Sequence, residues 1–144
     1  MNMGLEIFFA EQRSELNLQY VGKQIVAGFP SPAEDYLEST LDLNKELIKN
    51  PSSTFFGRVK GVSMIDAGVN DGDLLVIDKS LSYKSGALAV CFVNGEFTLK
   101  GIKVEGNTIY LMPANKDYQP IIIKEDDDFS VWGIVTYIIK KKVF

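Results

Sequence analysis

The second half of the chain consists of short apolar segments separated by turns, and this pattern limits the fold more than any other feature. Asn94-Gly95, the strongest short signal for a β-hairpin, stands between the β-like runs 87–93 and 96–104. Further β-like runs cover residues 54–60, 74–77, 107–112, 120–123 and 131–139. Short strands with frequent turns are typical of a curled antiparallel sheet or a partly open barrel, so we predict a mainly β domain.

A helix is predicted upstream of these strands. Ser31 suits the N-cap, Pro32 suits the first helical position, and Glu34 completes a capping box. Asn50-Pro51 would end the helix. An approximate helical stripe of apolar residues supports this prediction: Tyr36, Leu37, Leu41, Leu43, Leu47 and Ile48. Polar residues interrupt the stripe, so either one helix or two short helices fit the pattern.

The chain divides into an arm and one domain. Its 144 residues suit a single compact domain. Residues 1–27 show no convincing period and no caps, which predicts a flexible or loosely packed arm. Residues 28–144 would form the β domain. The 27 residues before Gly28 are too few for a helix-turn-helix DNA-binding domain, so we expect none.

The composition excludes several kinds of site. The chain has no histidine, which removes Ser-His-Asp and Cys-His catalysis and the usual His-containing zinc sites, and we predict neither a metal nor a cofactor. Cys91, the single cysteine, lies in an apolar run and should be a buried small hydrophobic residue. The net charge of −4 without a basic stripe argues against direct DNA binding. No apolar run is long enough to span a membrane and the start does not resemble a signal peptide, so we expect a cytoplasmic protein.

Ser63 lies where a predicted strand gives way to a bend, in the stretch 61–66. It is either a turn serine that bonds its own backbone or a nucleophile. Since the chain has no histidine, a nucleophilic serine would need a lysine or a carboxylate as its base. The pKa of a lysine amine in water is about 10.4, so a lysine base must be desolvated and kept away from carboxylates.

Lys100 lies on the strand that follows the Asn94-Gly95 turn. Strict alternation places it on the face that carries Glu96 and Thr98, opposite Leu99. Taken alone, this pattern predicts a solvated lysine and therefore does not identify Lys100 as a base.

Ala27-Gly28 lies in the segment 24–32, which Pro30 and Pro32 bias toward extended backbone. A small peptide bond in an extended segment is what a protease cleft accepts, because such clefts bind substrate as an added strand. The same segment is also a plausible ordinary linker.

Four motifs in order give these residues a joint interpretation. Segments 28–32, 61–64, 71–73 and 95–100 together resemble the self-cleaving family of LexA, phage CI-type repressors and UmuD. The resemblance runs from about residue 26 to 140. It implies that Ser63 is the nucleophile, that Lys100 is its base, and that the bond between Ala27 and Gly28 is cut. A backbone N–H of Ser63 or Met64 would hold the oxyanion.

The resemblance also implies a biological role. The short arm is similar to that of UmuD, whereas the apolar Val62 beside the serine is similar to the repressor branch. A UmuD-like protein would cleave itself when a RecA–single-stranded-DNA filament forms after DNA damage. The shortened homodimer would then join a UmuC-like Y-family polymerase. A non-enzymatic polymerase-binding module, and a transcriptional regulator without its own DNA-binding domain, remain alternatives, whereas a signal peptidase is disfavoured.

Overall fold

The computed structural model describes residues 4–10, 17–21, 37–61, 68–113 and 119–142. The described chain is mainly β and contains a curled antiparallel sheet, as predicted. The strands are β1 Gly4–Phe9, β2 Asn17–Val21, β3 Leu37–Asp42, β4 Thr54–Lys60, β5 Leu74–Asp78, β6 Leu88–Val93, β7 Glu96–Glu105, β8 Thr108–Met112, β9 Ile121–Ile122 and β10 Phe129–Ile139. Among the described residues, one short α-helix, α1, spans Leu43–Leu47, and a 3₁₀ helix spans Pro51–Ser53. No helix in the described part of the chain is long and apolar enough to cross a bilayer.

The chain forms two compact units. The first comprises Met1–Ala10 with Asn50–Phe144, and it contains an eight-stranded sheet in the order β1-β4-β5-β10-β6-β7-β8-β9. The second comprises Glu11–Lys49 and contains the antiparallel pair β2-β3 followed by α1.

The large sheet buries side chains on both of its faces. One cluster comprises Val59, Val69, Leu75, Ile77, Val90 and Leu99. A second comprises Ala89, Cys91, Ile102 and Leu111. The register pairs Val90 with Leu99 and Ala89 with Lys100, so alternation places these two pairs, and the two clusters, on opposite faces. A side chain that points away from one hydrophobic cluster of this sheet can therefore still be buried in the other.

The Asn94-Gly95 turn sets the register of β6 and β7. Both residues have positive φ angles, 49° and 90°, as a two-residue hairpin turn with matching twist requires. The turn places Val93 opposite Glu96, and the pairing continues without a shift to Leu88 and Gly101. The predicted hairpin is confirmed.

Strand β10 lies at the centre of the sheet. Its first half pairs with β6 and its second half pairs with β5, with one register shift between Val131 and Gly133 and another between Val135 and Tyr137. A Cβ atom on Gly133 would lie 2.5 Å from Cγ2 of Ile77, so only glycine fits at the first shift.

The predicted helix is wrong over residues 37–42, which form β3, and within the described part of the predicted span the α-helix covers residues 43–47. The cap of this helix is Asp42, whose carboxylate accepts a hydrogen bond from the Asn44 N–H at 3.0 Å, whereas Ser31 lies outside the described residues. Pairing of β3 with β2 overrides the approximate helical period, because four of the six residues of β3 gain a cross-strand partner.

The prediction of a loosely packed arm is wrong for two segments of residues 1–27. Residues 4–9 form β1, which is hydrogen-bonded to β4, and residues 17–21 form β2. Leu5 and Ile7 are half-buried and alternate with the exposed Glu6 and Phe8, and this period of two suits a strand that packs one face against a core, whereas Phe9 is 78% exposed.

Candidate functional site around Lys100

Lys100 lies in the middle of β7, where β6 pairs on one side and pairing with β8 begins at the next residue, Gly101. Ala89 of β6 is directly opposite it. On the same face, the next pair toward the hairpin is Thr98 with Cys91, and Ile102 is two residues further along β7. Three small or apolar residues of the second cluster therefore surround the stem of this lysine.

The amine of Lys100 is partly withdrawn from water. Its side chain is half-buried, and this burial lowers the pKa of Lys100 from its ordinary value because the charged form loses hydration. The prediction that Lys100 is solvated is thus wrong. The alternation was correct, but the face that carries Lys100 belongs to the second hydrophobic cluster.

Cys91 provides a neutral neighbour for this amine. Its side chain is fully buried, and burial raises the pKa of Cys91 to about 11, so that the thiol keeps its proton at neutral pH. Its Sγ donates a weak hydrogen bond to the Ala89 carbonyl at 3.9 Å. A thiolate at this position would raise the pKa of Lys100, but the protonated thiol does not. The predicted burial of Cys91 is confirmed.

No carboxylate among the described residues forms an ion pair with Lys100. The described ion pairs involve other lysines: Lys60 with Glu6, Lys103 with Glu105, and Lys140 with Asp73. A half-buried amine with a lowered pKa and no ion pair to a described carboxylate is better suited to act as a general base than a solvated lysine. This is the chemistry that the Lys100 environment supports.

Both ends of the segment that carries Ser63 are fixed. Gly61, at the end of β4, has a φ angle of 97° and donates its N–H to the Asp71 carboxylate at 2.9 Å. The Gly72 N–H donates to the Val59 carbonyl at 2.8 Å. The described flanks of the segment are thereby joined to each other. Ser63 itself lies outside the described residues, as does Met64, and their roles stay predictions.

The predicted cleavage site also lies outside the described residues. Ala27 and Gly28 belong to the connection between β2 and β3, within the second unit. The antiparallel register of these strands places Val21 opposite Leu37, so the two ends of this connection are brought together.

Asp78 is buried, and its hydrogen bonds indicate a structural role. It accepts hydrogen bonds from Asn50 Nδ2 at 2.7 Å, Ser53 Oγ at 2.9 Å, and the Ser80 N–H and Oγ at 2.8 and 2.6 Å. Burial raises the pKa of Asp78, but these hydrogen bonds outweigh it and the pKa is lowered overall. Asp78 therefore stays ionised and anchors the end of β5. Within the described residues, no group of acidic residues and cysteine is arranged to hold a metal ion.

An apolar groove of about 640 Å³ lies elsewhere in the first unit, between residues 84–88 and 134–138. It arises because β6 and β10 stop pairing at Ala89 and Ile134. Lys100 does not line this groove. Among the described residues, the groove holds no acid–base pair and we assign no chemistry to it.

Sequence reasoning missed the neighbours of Lys100, although the hairpin contained the necessary information. A two-residue turn at Asn94-Gly95 requires Val93 to face Glu96, and counting outward places Ala89 opposite Lys100. What the pattern lacked was the second cluster, which depends on Leu111 of β8 and on residues of β10 that are distant in sequence.

Comparisons with known proteins establish the class. The Peptidase S24-like family model matches residues 19–136, and the chain therefore belongs to this family, a class of self-cleaving serine peptidases. This confirms the resemblance found in the sequence.

Individual relatives place the chain within the family. It is 37% identical over 137 residues to Protein MucA of Salmonella typhimurium, covering 94% of this chain and 93% of that protein. It is 42% identical over 115 residues to Protein SamA of the same species, covering 80% and 79%. It is 40% identical over 121 residues to the LexA repressor of Herminiimonas arsenicoxydans, covering 83% of this chain but 54% of the repressor. The chain is a UmuD-like, SOS-related member of the family.

Proposed function

We propose that this protein cleaves its own backbone between Ala27 and Gly28 after DNA damage, with Ser63 as the nucleophile and Lys100 as the base. The environment of Lys100 carries this proposal: a half-buried amine with a lowered pKa, a neutral thiol nearby, and no ion pair to the described carboxylates. The chain has no histidine that would compete for the role of base.

The first half of the reaction transfers the acyl group to the serine. Neutral Lys100 takes the proton of the Ser63 hydroxyl while the oxygen attacks the Ala27 carbonyl. A backbone N–H of Ser63 or Met64 stabilises the resulting oxyanion. The C–N bond to Gly28 then breaks, and the ammonium of Lys100 gives its proton to the leaving amine. The products are an ester between Ser63 and Ala27 and a new N-terminus at Gly28.

The second half restores the enzyme. Lys100, neutral again, takes a proton from water, and the hydroxide formed attacks the ester carbonyl. The ester bond breaks, the protonated Lys100 returns its proton to the Ser63 oxygen, and residues 1–27 leave with a C-terminal carboxylate. Each step uses the amine once as base and once as acid, so its pKa must lie near the working pH.

The proposed regulation is a shift in population. The bond between Ala27 and Gly28 reacts only when its segment occupies the cleft, and a RecA–single-stranded-DNA filament raises the fraction of molecules in that state. The shortened homodimer then acts in the cytoplasm as the accessory subunit of a UmuC-like translesion polymerase. No metal, cofactor or direct sequence-specific DNA contact is required.

Cleavage by purified protein tests this function. The full chain is incubated with RecA, single-stranded DNA and a nucleoside triphosphate, and its products are identified by mass spectrometry. We expect a fragment that begins at Gly28. A different new N-terminus would exclude the proposed bond, and no cutting under any of these conditions would favour a non-enzymatic binding module.

The nucleophile is tested by a matched pair of serines. Ser63→Ala should abolish the Gly28 fragment, whereas Ser82→Ala, at an exposed loop position, should leave the rate unchanged. Circular dichroism checks that both variants fold. Continued self-cleavage by folded Ser63→Ala would rule out Ser63 as the nucleophile.

The similarity to LexA repressors favours one second candidate, a transcriptional regulator. In that case cleavage would end a repressor interaction and would not create a polymerase subunit. Co-purification of the Gly28 fragment with a UmuC-like polymerase encoded beside it would support the first function, and its absence together with a cleavage-sensitive change in transcription would support the second.

A further inference from the structure

Strand β1 occupies one end of the eight-stranded sheet and is paired with β4 over all six of its residues, from Gly4 opposite Lys60 to Phe9 opposite Phe55. This strand precedes the bond that we propose is cut. The inference below rests on that proposed function, because cutting would leave β1 and β4 on separate chains.

Side chains of β1 fit features of the first unit. Leu5 packs against the first hydrophobic cluster, and a Cβ atom on Gly57 would lie 3.0 Å from its Cδ1, so Leu5 fills the space that this glycine leaves. Glu6 forms an ion pair with Lys60. The Phe9 ring lies 5.0 Å from that of Phe55. A strand that fits this edge therefore has an apolar, an acidic and an aromatic residue at fixed positions.

The backbone of β4 shows which amides depend on β1. The Val59 N–H donates to the Asp73 carbonyl on the β5 side, at 2.9 Å. Because amides along a strand alternate in direction, those of Phe56, Arg58 and Lys60 point toward β1. Without β1, these groups would form an open sheet edge, which is a template for another strand.

Whether β1 stays paired with β4 depends on its covalent connection to the rest of the chain. A covalently tethered segment has an effective concentration of up to roughly millimolar, whereas a released fragment at micromolar concentration loses about a thousandfold in local concentration. After a cut between Ala27 and Gly28, the described strand pairings that hold residues 1–27 are those of β1 with β4 and of β2 with β3. Isolated pairings of short strands are marginally stable, so the cut turns a tethered strand into one that can dissociate.

We propose that the β4 edge is a strand-docking site that β1 occupies in the intact chain and that self-cleavage opens to a partner protein. The partner contributes an extended segment with the chemistry of β1: an apolar side chain over Gly57, a carboxylate toward Lys60 and an aromatic ring over Phe55. In the intact chain β1 imitates this partner and blocks it.

The experiment uses the full chain in a Ser63→Ala background, so that it does not depend on cleavage. Glu6→Pro removes a β1 N–H that faces β4 and should displace the strand, whereas Glu6→Ala loses the same carboxylate but keeps the N–H. The probe is a fluorescent synthetic peptide of residues 1–10. We expect it to bind Glu6→Pro at least tenfold more tightly than the Ser63→Ala background or Glu6→Ala.

Two further measurements make this result specific. Hydrogen exchange should show the amides of Phe56, Arg58 and Lys60 losing protection in Glu6→Pro and regaining it with the peptide, while the Val59 amide stays protected. A peptide with Leu5→Asp should not bind. If Glu6→Pro is poorly folded, Phe8→Pro removes the next β1 N–H that faces β4 and serves in its place.

The outcomes separate this proposal from the proposed function. Equal binding to all variants, no binding to either proline variant, or β4 amides that stay protected would overturn the docking site whether or not the chain cleaves itself. In the wild-type chain, peptide binding should appear together with the Gly28 fragment. Cleavage without gain of binding would also overturn the docking site, whereas binding to the Glu6→Pro variant together with a wild-type chain that never cuts would overturn the cleavage function alone.

Discussion

The inner half of β7, which contains residues 98–102, differs from its outer half, residues 103–105, more than the sequence suggests. Lys100, in the inner half, is half-buried, and burial lowers its pKa. Lys103, in the outer half, is exposed and forms an ion pair with Glu105 at 2.9 Å between Nζ and Oε1. A hydrogen bond with Glu105 raises the pKa of Lys103. The pKa values of two lysines three residues apart are thus shifted in opposite directions.

The difference comes from what covers each half of the strand. The inner half is flanked by the fully buried Leu99 on one face and by Ile102 on the other, so both faces are covered. The outer half passes the end of β6 and carries three successive exposed residues, 103–105. A lysine in this sheet becomes a candidate base when it lies on a part of a strand whose two faces are both covered. Residue type alone does not distinguish Lys100 from Lys103.

The largest expected effect is on cleavage when Lys100 is removed. Lys100→Ala should lower the self-cleavage rate at least 100-fold, because a general base typically contributes about 10²–10⁴-fold. Lys103→Ala is the matched control on the same strand and should change the rate less than twofold. The Gly28 fragment is quantified over time by mass spectrometry. Equal rates for the two variants would remove Lys100 from the mechanism.

A second prediction concerns stability. Leu99→Ala should lower the free energy of unfolding by about 2–5 kcal/mol, since it leaves a cavity in the first cluster. Val104→Ala, in the exposed outer half, should change it by less than about 0.5 kcal/mol. Urea unfolding followed by circular dichroism measures both. Similar losses would show that the two halves are equally buried in solution.

A third prediction concerns pH. The fraction of neutral Lys100 increases with pH, so cleavage without RecA should speed up as pH rises and level off below the pH at which an ordinary lysine titrates. Thr98→Asp places a carboxylate on the same face, raises the pKa of Lys100 and should shift this profile to higher pH.

Thr98→Asn is the control for this shift, because it has nearly the same shape without the charge. Its rate profile should overlay that of the wild-type chain. A rate that is flat from pH 6 to pH 10, or identical profiles for the Asp and Asn variants, would contradict lysine as the base.

The smallest expected effect is at the outer ion pair. Glu105→Gln replaces the charged acceptor of the Lys103 hydrogen bond with a neutral one, so the pKa of Lys103 should fall back toward its usual range. Because both side chains are exposed, the melting temperature should not change measurably, at low or high salt. Nuclear magnetic resonance titration of the lysine amines follows the pKa. A clear salt-dependent loss of stability would show that the pair is less exposed than described.

Local patterns were sufficient to predict most of the large sheet. The bounds of β4 match the predicted run 54–60, and the Asn94-Gly95 hairpin defines the register that places Ala89 opposite Lys100. These features depend on the alternation of apolar residues and on residue types that favour positive φ angles. Both can be read directly from a sequence.

Features that depend on distant partners were missed. Residues 37–42 have an approximate helical period but form β3, because β2 is available as a partner. The burial of Lys100 depends on Leu111 and on β10 residues, and no window of sequence around Lys100 contains them. The roles of Ser63 and of Ala27-Gly28 still rest on the family resemblance.

The central position of β10 has a consequence for the order of folding. Strand β10 pairs with β5 along one half and with β6 along the other, so the two parts of the sheet are joined through residues near the end of the sequence. Strand β5 can pair with β4, and β6 with β7, but the edges of β5 and β6 that face β10 stay open until residues 129–139 have been synthesised, and contacts of such long sequence separation form slowly. A ribosome that stalls before residue 129 would release a chain with one open edge on each of these apolar strands, a form that is prone to aggregate.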